Sequence, residues 1–219
     1  MYPEAPLVIS DDTVYGTALF GGANHRGTLF SVKTNGADFT VLHTFSDFNY
    51  PGSFNLDGAY PEALLLSGSV LYGVTSDGGT NGNGVVYSIN ADGDNFTVLY
   101  SFSKWYNTNF DGAYPEGALV RSGNTLYGTA EQGGAGNGTV FSLSFAPQLT
   151  LTLSETNVVL SWPTNAAGFD YTGFTLQTAT DLTPSASWTP VSPAPVITAG
   201  RNTVTNPITS TKQFYRLIQ

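Results

Sequence analysis

The phrase Tyr-Pro-Glu-(Ala/Gly) occurs three times, beginning at Tyr2, Tyr60 and Tyr114, and what lies between its copies recurs in the same order. The starts are 58 and 54 residues apart. A period of that size restricts the chain to an array of supersecondary units, such as propeller blades, each burying its apolar face on the next.

Within each copy an apolar run at residues 6–10, 64–68 and 118–123 leads into a turn. A Tyr-Gly strand follows (14–17, 71–74, 126–129), then a Gly-Gly loop (21–22, 78–79, 133–134) and a third strand (28–31, 85–88, 139–142). A fourth, Phe-Thr-Val-Leu, closes the first two copies (39–42, 96–99). These runs are short, alternate apolar with small or polar residues, and end in Gly, Asn or Asp. That is the pattern of antiparallel strands joined by tight turns. Asn35-Gly36 and Asp92-Gly93 stand where a hairpin needs positive φ. Four short strands per repeat make the unit of a propeller blade. The expected fold is therefore all-β, with β-propeller-like four-stranded blades in about two and a half repeats and the Tyr-Pro-Glu phrase as punctuation between blades.

The third copy stops after its third strand, at Phe145. The expected domains are a repeat domain over 1–146 and a small β-sandwich over 147–219. In the latter, short runs at 158–162, 174–177, 188–191, 203–205 and 214–217 are separated by turn residues at sandwich spacing. Residues 149–153 alternate cleanly and fit either the sandwich or the missing fourth strand of the last blade.

The motifs Tyr-Gly-x-Thr, Gly-Gly, Asn-Gly-x-Val-(Phe/Tyr)-Ser, Phe-Thr-Val-Leu and Asp-Gly-Ala-Tyr-Pro together resemble the Gloeobacter/Verrucomicrobia tandem repeats of exported bacterial proteins. The tail, with Val-Leu-Ser-Trp-Pro at 159–163, Phe-Thr-Leu-Gln at 174–177 and Gln-Phe-Tyr-Arg-Leu at 213–217, resembles a fibronectin type III-like module. The resemblance implies secretion and propeller-like repeats, and it brings no catalytic residues with it.

Composition narrows the partners. With net charge −9 and only seven Lys plus Arg, the chain has no basic cluster to track phosphates, which excludes nucleic acid and anionic membrane as partners. The absence of cysteine removes disulfide scaffolds, zinc ribbons and thiol catalysis. No apolar run approaches the length of a membrane span. No signal peptide is visible, and Met1 directly precedes the repeat phrase, which reads as a frame cut at a repeat boundary. A Thr-, Asn- and Gly-rich, Lys-poor composition predicts a secreted or cell-surface bacterial protein.

Two sets of residues could carry chemistry. Glu4, Glu62 and Glu116 recur in the phrase, and Asp57 and Asp111 precede its second and third copies. Paired carboxylates from Asp57, Glu62, Asp111 and Glu116 would serve a glycosidase-like hydrolase. The same residues also read as turn formers between blades. The second set lies in the aromatic loops ahead of each phrase: Phe48 and Tyr50, then Trp105, Tyr106 and Asn107. Aromatic faces beside Asn and Asp suit sugar rings, and loops on a rigid scaffold are where function concentrates. The same rings also read as packing between blades.

No metal or cofactor site is predicted. Asn90, Asp92 and Asp94 begin like a calcium loop but lack its later Gly and Glu, so they read as a hairpin turn. His25 and His43 have no Gly-x-Ser-x-Gly elbow to join. Three functions stay open: a glycan-binding module, a glycosidase-like hydrolase, and a structural subunit of an extracellular assembly. Two and a half blades leave a face and an edge uncovered, which predicts a homo-oligomer that completes the ring, or else a fragment of a longer protein.

Overall fold

A computed structural model describes residues 5–52, 54–104, 109–166, 168–208 and 212–219. These residues are all strand, turn and loop, and the chain divides into two compact units, Met1–Ser144 and Phe145–Gln219.

The first unit holds three antiparallel sheets. The first is β1 (Val8–Ser10), β2 (Thr13–Ala18), β3 (Thr28–Lys33) and β4 (Thr40–Thr44), paired in chain order. The second repeats it with β5 (Ala59–Ser67), β6 (Val70–Asp77), β7 (Val85–Asn90) and β8 (Thr97–Ser101). The third contains β9 (Ala113–Pro115), β10 (Val120–Ser122), β11 (Thr125–Gln132) and β12 (Thr139–Ser144). There β9 and β10 both pair with β11, sharing the role that β5 fills alone. Among the described residues nothing pairs with the outer edge of β12.

The Tyr-Gly signature follows from one steric requirement. Gly16, Gly73 and Gly128 sit directly opposite Phe30, Tyr87 and Phe141 on the next strand. Each aromatic ring lies across its glycine, so a methyl group on Gly73 would collide with the Tyr87 phenol, and one on Gly16 would come within 2.6 Å of Phe30. The ring covers the bare backbone; Phe30 and Phe141 are half-buried in doing so. Tyr87 is fully buried in a core that also takes Tyr15, Leu29 and Phe45 from the first sheet and Leu64, Leu71 and Ile89 from the second. Each such side chain contributes about 1.5–3 kcal/mol by burial.

The Tyr-Pro-Glu phrase is more than punctuation. Its second copy lies inside β5, in a kinked first half where the register with β6 shifts between Pro61 and Leu64. Tyr60 and Tyr114 both take positive φ, 59° and 55°, at a cost on the order of 1–3 kcal/mol each. The kink turns each tyrosine amide towards the preceding sheet. The Tyr60 N–H donates to the Arg26 carbonyl at 2.8 Å, and the Tyr114 N–H to the Asn83 carbonyl at 3.0 Å. Beside each bond a proline packs on a glycine: a methyl group on Gly27 would collide with Pro61, and one on Gly84 would lie 2.7 Å from Pro115. The phrase is a clasp that fixes one sheet on the one before it.

The second unit is built from β13 (Thr150–Ser154), β14 (Asn157–Pro163), β15 (Asn165–Ala166), β16 (Phe169–Asp170), β17 (Thr175–Ala179), β18 (Thr189–Pro190), β19 (Val196–Thr198), β20 (Arg201–Pro207) and β21 (Phe214–Ile218). A four-stranded sheet, β13-β14-β20-β19, and a three-stranded sheet, β18-β17-β21, share a core of Val158, Leu160, Trp162, Leu176 and Val204. The strict alternation of β14 puts Val158, Leu160 and Trp162 on the buried face. The alternating run at 149–153 belongs here: its strand β13 pairs with β14 and does not extend the third sheet. The five residues of β13 are all exposed, and Leu149 just before it packs on the core of the unit.

Candidate functional site

The two junctions between the three sheets carry the same polar cassette, Asn-x-Asp-Gly, at 55–58 and 109–112. Asn55 is buried, and all of its side-chain hydrogen-bonding capacity is used internally. Its Nδ2 donates to the Ser46 carbonyl at 2.9 Å and the Gly58 carbonyl at 2.8 Å. Its Oδ1 accepts from the Gly58 and Gly79 amides at 2.9 and 3.0 Å. Asn109 repeats the pattern with Ser103, Asp111 and Gly112. Asn55 and Asn109 thus brace the junctions from within and offer no amide to a ligand. Their amides replace backbone partners that irregular chain needs when it runs through a buried junction.

The aspartates are tied to the same junctions through one carboxylate oxygen each, and Asp57 Oδ1 is buried without a partner. Asp57 Oδ2 accepts from the Ser46 amide at 2.9 Å and its hydroxyl at 3.0 Å, and lies 3.1 Å from His43 Nε2. Asp111 Oδ2 accepts from the Ser103 amide and hydroxyl, both at 2.8 Å, and from the Tyr100 phenol at 2.6 Å. Burial pushes the Asp57 carboxyl up, but the His43 and Ser46 hydrogen bonds outweigh it and hold it below the usual carboxylate range. Asp111 is held low in the same way by Tyr100 and Ser103. Burial first, and the Asp111 carboxylate second, push the Tyr100 phenol up to about 12.

These lowered values set the sign of an acid effect. A carboxyl held below its unfolded value stabilises the fold fully above the ordinary carboxylate range, and the gain is lost as pH falls through the folded value. Asp57→Asn should cost about 1–2 kcal/mol at pH 7, with a melting temperature that then falls less than the wild type between pH 4 and pH 2. Parallel wild-type and variant curves over that range would remove Asp57 from the acid response.

The carboxylates singled out by sequence are spread over different places. Asp57 serves the first junction and Asp111 the second. Glu62 is half-buried within β5, where its backbone carbonyl accepts from the Thr17 hydroxyl at 3.0 Å, while Glu116 is exposed just beyond β9. Glu4 lies outside the described residues. Among the described residues no group of three or more His, Asp or Glu side chains is placed to hold a metal ion. Asn90, Asp92 and Asp94 form the hairpin turn expected of them, with the Asn90 amide on the Asp94 carbonyl and the Asp94 amide on Asp92 Oδ1.

The aromatic loop of the first junction divides between packing and exposure. Arg26 lies 3.9 Å over the Phe48 ring, donates to Asp47 at 3.0–3.1 Å, and reaches the Tyr60 hydroxyl. The Phe48 amide and then Arg26 lower the Asp47 carboxyl. Phe48 is thus a packed ring. Two residues on, Tyr50 is 96% exposed, on a small loop closed by the Asn49 amide on the Phe54 carbonyl at 2.8 Å. Trp105, Tyr106 and Asn107 lie outside the described residues. Just after them Phe110 is 87% exposed and, with Asp111 and Tyr100, lines a cavity of about 280 Å³. The cavity and the Asn cassette escaped the sequence reading, although the recurrence of Asn two residues before each Asp was a visible signal for the cassette.

Fold and junction chemistry define a class: a tandem β-repeat protein whose antiparallel sheets are clasped in series by Tyr-Pro and Asn-x-Asp-Gly. A family model of the Gloeobacter/Verrucomicrobia repeat matches residues 1–157, and the chain belongs to that family. No curated protein matches it. Among solved structures it is similar to a chain of a nidogen/laminin complex, at 15% identity and TM-score 0.37, over 70% of this chain and 52% of that one. It is also similar to TolB from Acinetobacter baumannii, at 13% identity and TM-score 0.29, over 72% of this chain and 50% of that one. The chain spans about half the length of these two structures.

Proposed function

We propose that the chain is a non-enzymatic binding module of an exported bacterial protein, with glycans as its ligand class. The observation that carries this reading is Tyr50: a ring 96% exposed on a hydrogen-bonded loop, three residues along the chain from Asp47 of the Arg26–Asp47 ion pair. A solvent-facing ring offers its face to the C–H side of a sugar, and charged groups of the same loop offer bonds to its hydroxyls. Trp105, Tyr106 and Asn107 in the matching loop of the next repeat belong to the same proposal, and Phe48, from the Tyr50 loop, packs against Arg26 and Tyr60.

The glycosidase alternative needs two carboxyl groups facing one bond, within about 5–10 Å of each other. The engagement of Asp57 and Asp111 in separate turns favours binding over hydrolysis. The second unit, two sheets around Trp162, is read as a fibronectin type III-like module. Association of further copies into a ring is supported by the outer face of the first sheet. There Phe39 is 60% and Val41 48% exposed, beside a cavity of about 330 Å³.

A glycan array read with wild type, Tyr50→Ala and Trp105→Ala tests the proposal. Retention should fall at least tenfold in Tyr50→Ala with an unchanged melting temperature. Sedimentation of the same samples reads the association. Turnover of chromogenic glycosides that Asp57→Asn or Glu116→Gln abolishes would replace the binding reading with the hydrolase one. An array without any retained glycan would remove the ligand class.

A further inference from the structure

Phe96 shows what completes the junction between the first and second sheets. It stands just ahead of β8, and its ring lies parallel to His43 with centroids 3.9 Å apart. It is also stacked against Tyr87 at 5.4 Å and edge-on to Phe45 at 5.9 Å. One repeat later the walls of the same seat are present. Tyr100 holds the strand position of His43, Phe102 that of Phe45, and Phe141 that of Tyr87, with the Phe102 and Phe141 rings edge to face at 5.1 Å. No ring fills the middle among the described residues, because the third sheet ends at β12. Between Tyr100 and Phe141 lies the cavity of about 280 Å³, with the exposed Phe110 ring, Asp111 and Leu143 at its margin. The hydrogen bond from the Tyr100 phenol to Asp111 fixes that ring as a wall.

We propose that this cavity and the free edge of β12 form a strand-acceptor site for an extended segment of the repeat's own fourth-strand type, aromatic-Thr-Val-Leu, carried by another polypeptide. The seat is continuous with the junction already built between the second and third sheets, and the equivalent seat one junction earlier is filled by such a segment. β12 reads Thr-Val-Phe-Ser-Leu-Ser and has no charged or proline residue to repel an incoming strand. Its unpaired backbone groups supply affinity, and the aromatic pocket supplies selection, as in other strand-addition sites. The register follows from β7 and β8, where Tyr87 faces Val98 and Ser88 faces Thr97. The incoming valine lies opposite Phe141, and the threonine opposite Ser142. Burial agrees with the missing partner: Val86 on β7 is fully buried, whereas Val140 at the same position of β12 is 79% exposed.

The site is separate from the Tyr50 loop that carries the glycan reading, so either proposal can fail alone. The probe is a synthetic peptide with the sequence of residues 94–102, fluorescently labelled and titrated with the full chain. Saturable binding is expected, at least tenfold weaker when the phenylalanine of the peptide is replaced by alanine, and at least tenfold weaker for Tyr100→Ala. The Tyr100→Ala chain keeps the Ser103 bonds to Asp111, and an unchanged melting temperature would show that its fold is intact. Binding indifferent to both changes, or no binding at millimolar peptide, would overturn the site. Self-association of the chain that the peptide competes away would place a second copy in the seat, and would overturn the assignment to a separate polypeptide.

Discussion

Replacing Gly73 with alanine should destabilise the first unit by about 2–3 kcal/mol, the cost of forcing one methyl group into a packed interface. The backbone at Gly73 is one that any residue adopts, so the penalty is steric. The added carbon has nowhere to go but into the Tyr87 ring, and that ring is fully buried between two sheets. In a chain of this size the change amounts to roughly 5–10 °C in melting temperature. Gly73→Ala combined with Tyr87→Leu should cost clearly less than the two single changes added together, because the smaller side chain releases the clash. Equal additivity in urea denaturation would show that the ring does not press on the glycine.

Asn55→Ala should cost about 3–4 kcal/mol, among the largest effects of any polar residue in the chain. Four hydrogen bonds at 2.8–3.0 Å end on this one buried side chain. Removal strands two amides and two carbonyls, and a buried polar group left without a partner costs about 1–3 kcal/mol. Asn35→Ala is the control. Its Oδ1 accepts only the exposed Ala37 amide, and a loss within about 0.5 kcal/mol is expected there. If Asn55→Ala melts like the control, water replaces the amide and the junction is not dry.

Much of the fold was legible because strand chemistry is local. The alternation of Val158, Leu160 and Trp162 marked β14, and the Asn-Gly and Asp-Gly pairs marked hairpins, at which Gly36 and Gly93 do take positive φ. The short strands β9, β15, β16 and β19 were missed, since two or three residues are too few to show a period. The candidate site was less legible. Phe48 and Tyr50 are two residues apart and chemically similar, yet one lies under Arg26 and the other stands in solvent. Nothing in the loop's own sequence separates them, because Arg26 comes from a different hairpin.

The sequence alone determined the period of the array, the strand and turn positions within it, and the absence of a fourth-strand phrase in the third copy. These depend on sterics and alternation within a few residues. Tertiary structure decided which copies of a residue are equal in effect. Phe39 and Phe96 open the same phrase, but Phe96 lies on His43 of the preceding sheet, while Phe39 has no preceding sheet among the described residues and is 60% exposed. The Tyr-Pro-Glu phrase became a clasp in the same way, through an amide and a proline meeting Arg26 and Gly27 more than thirty residues earlier. A repeat fixes what each unit offers, and only stacking decides which offers are met.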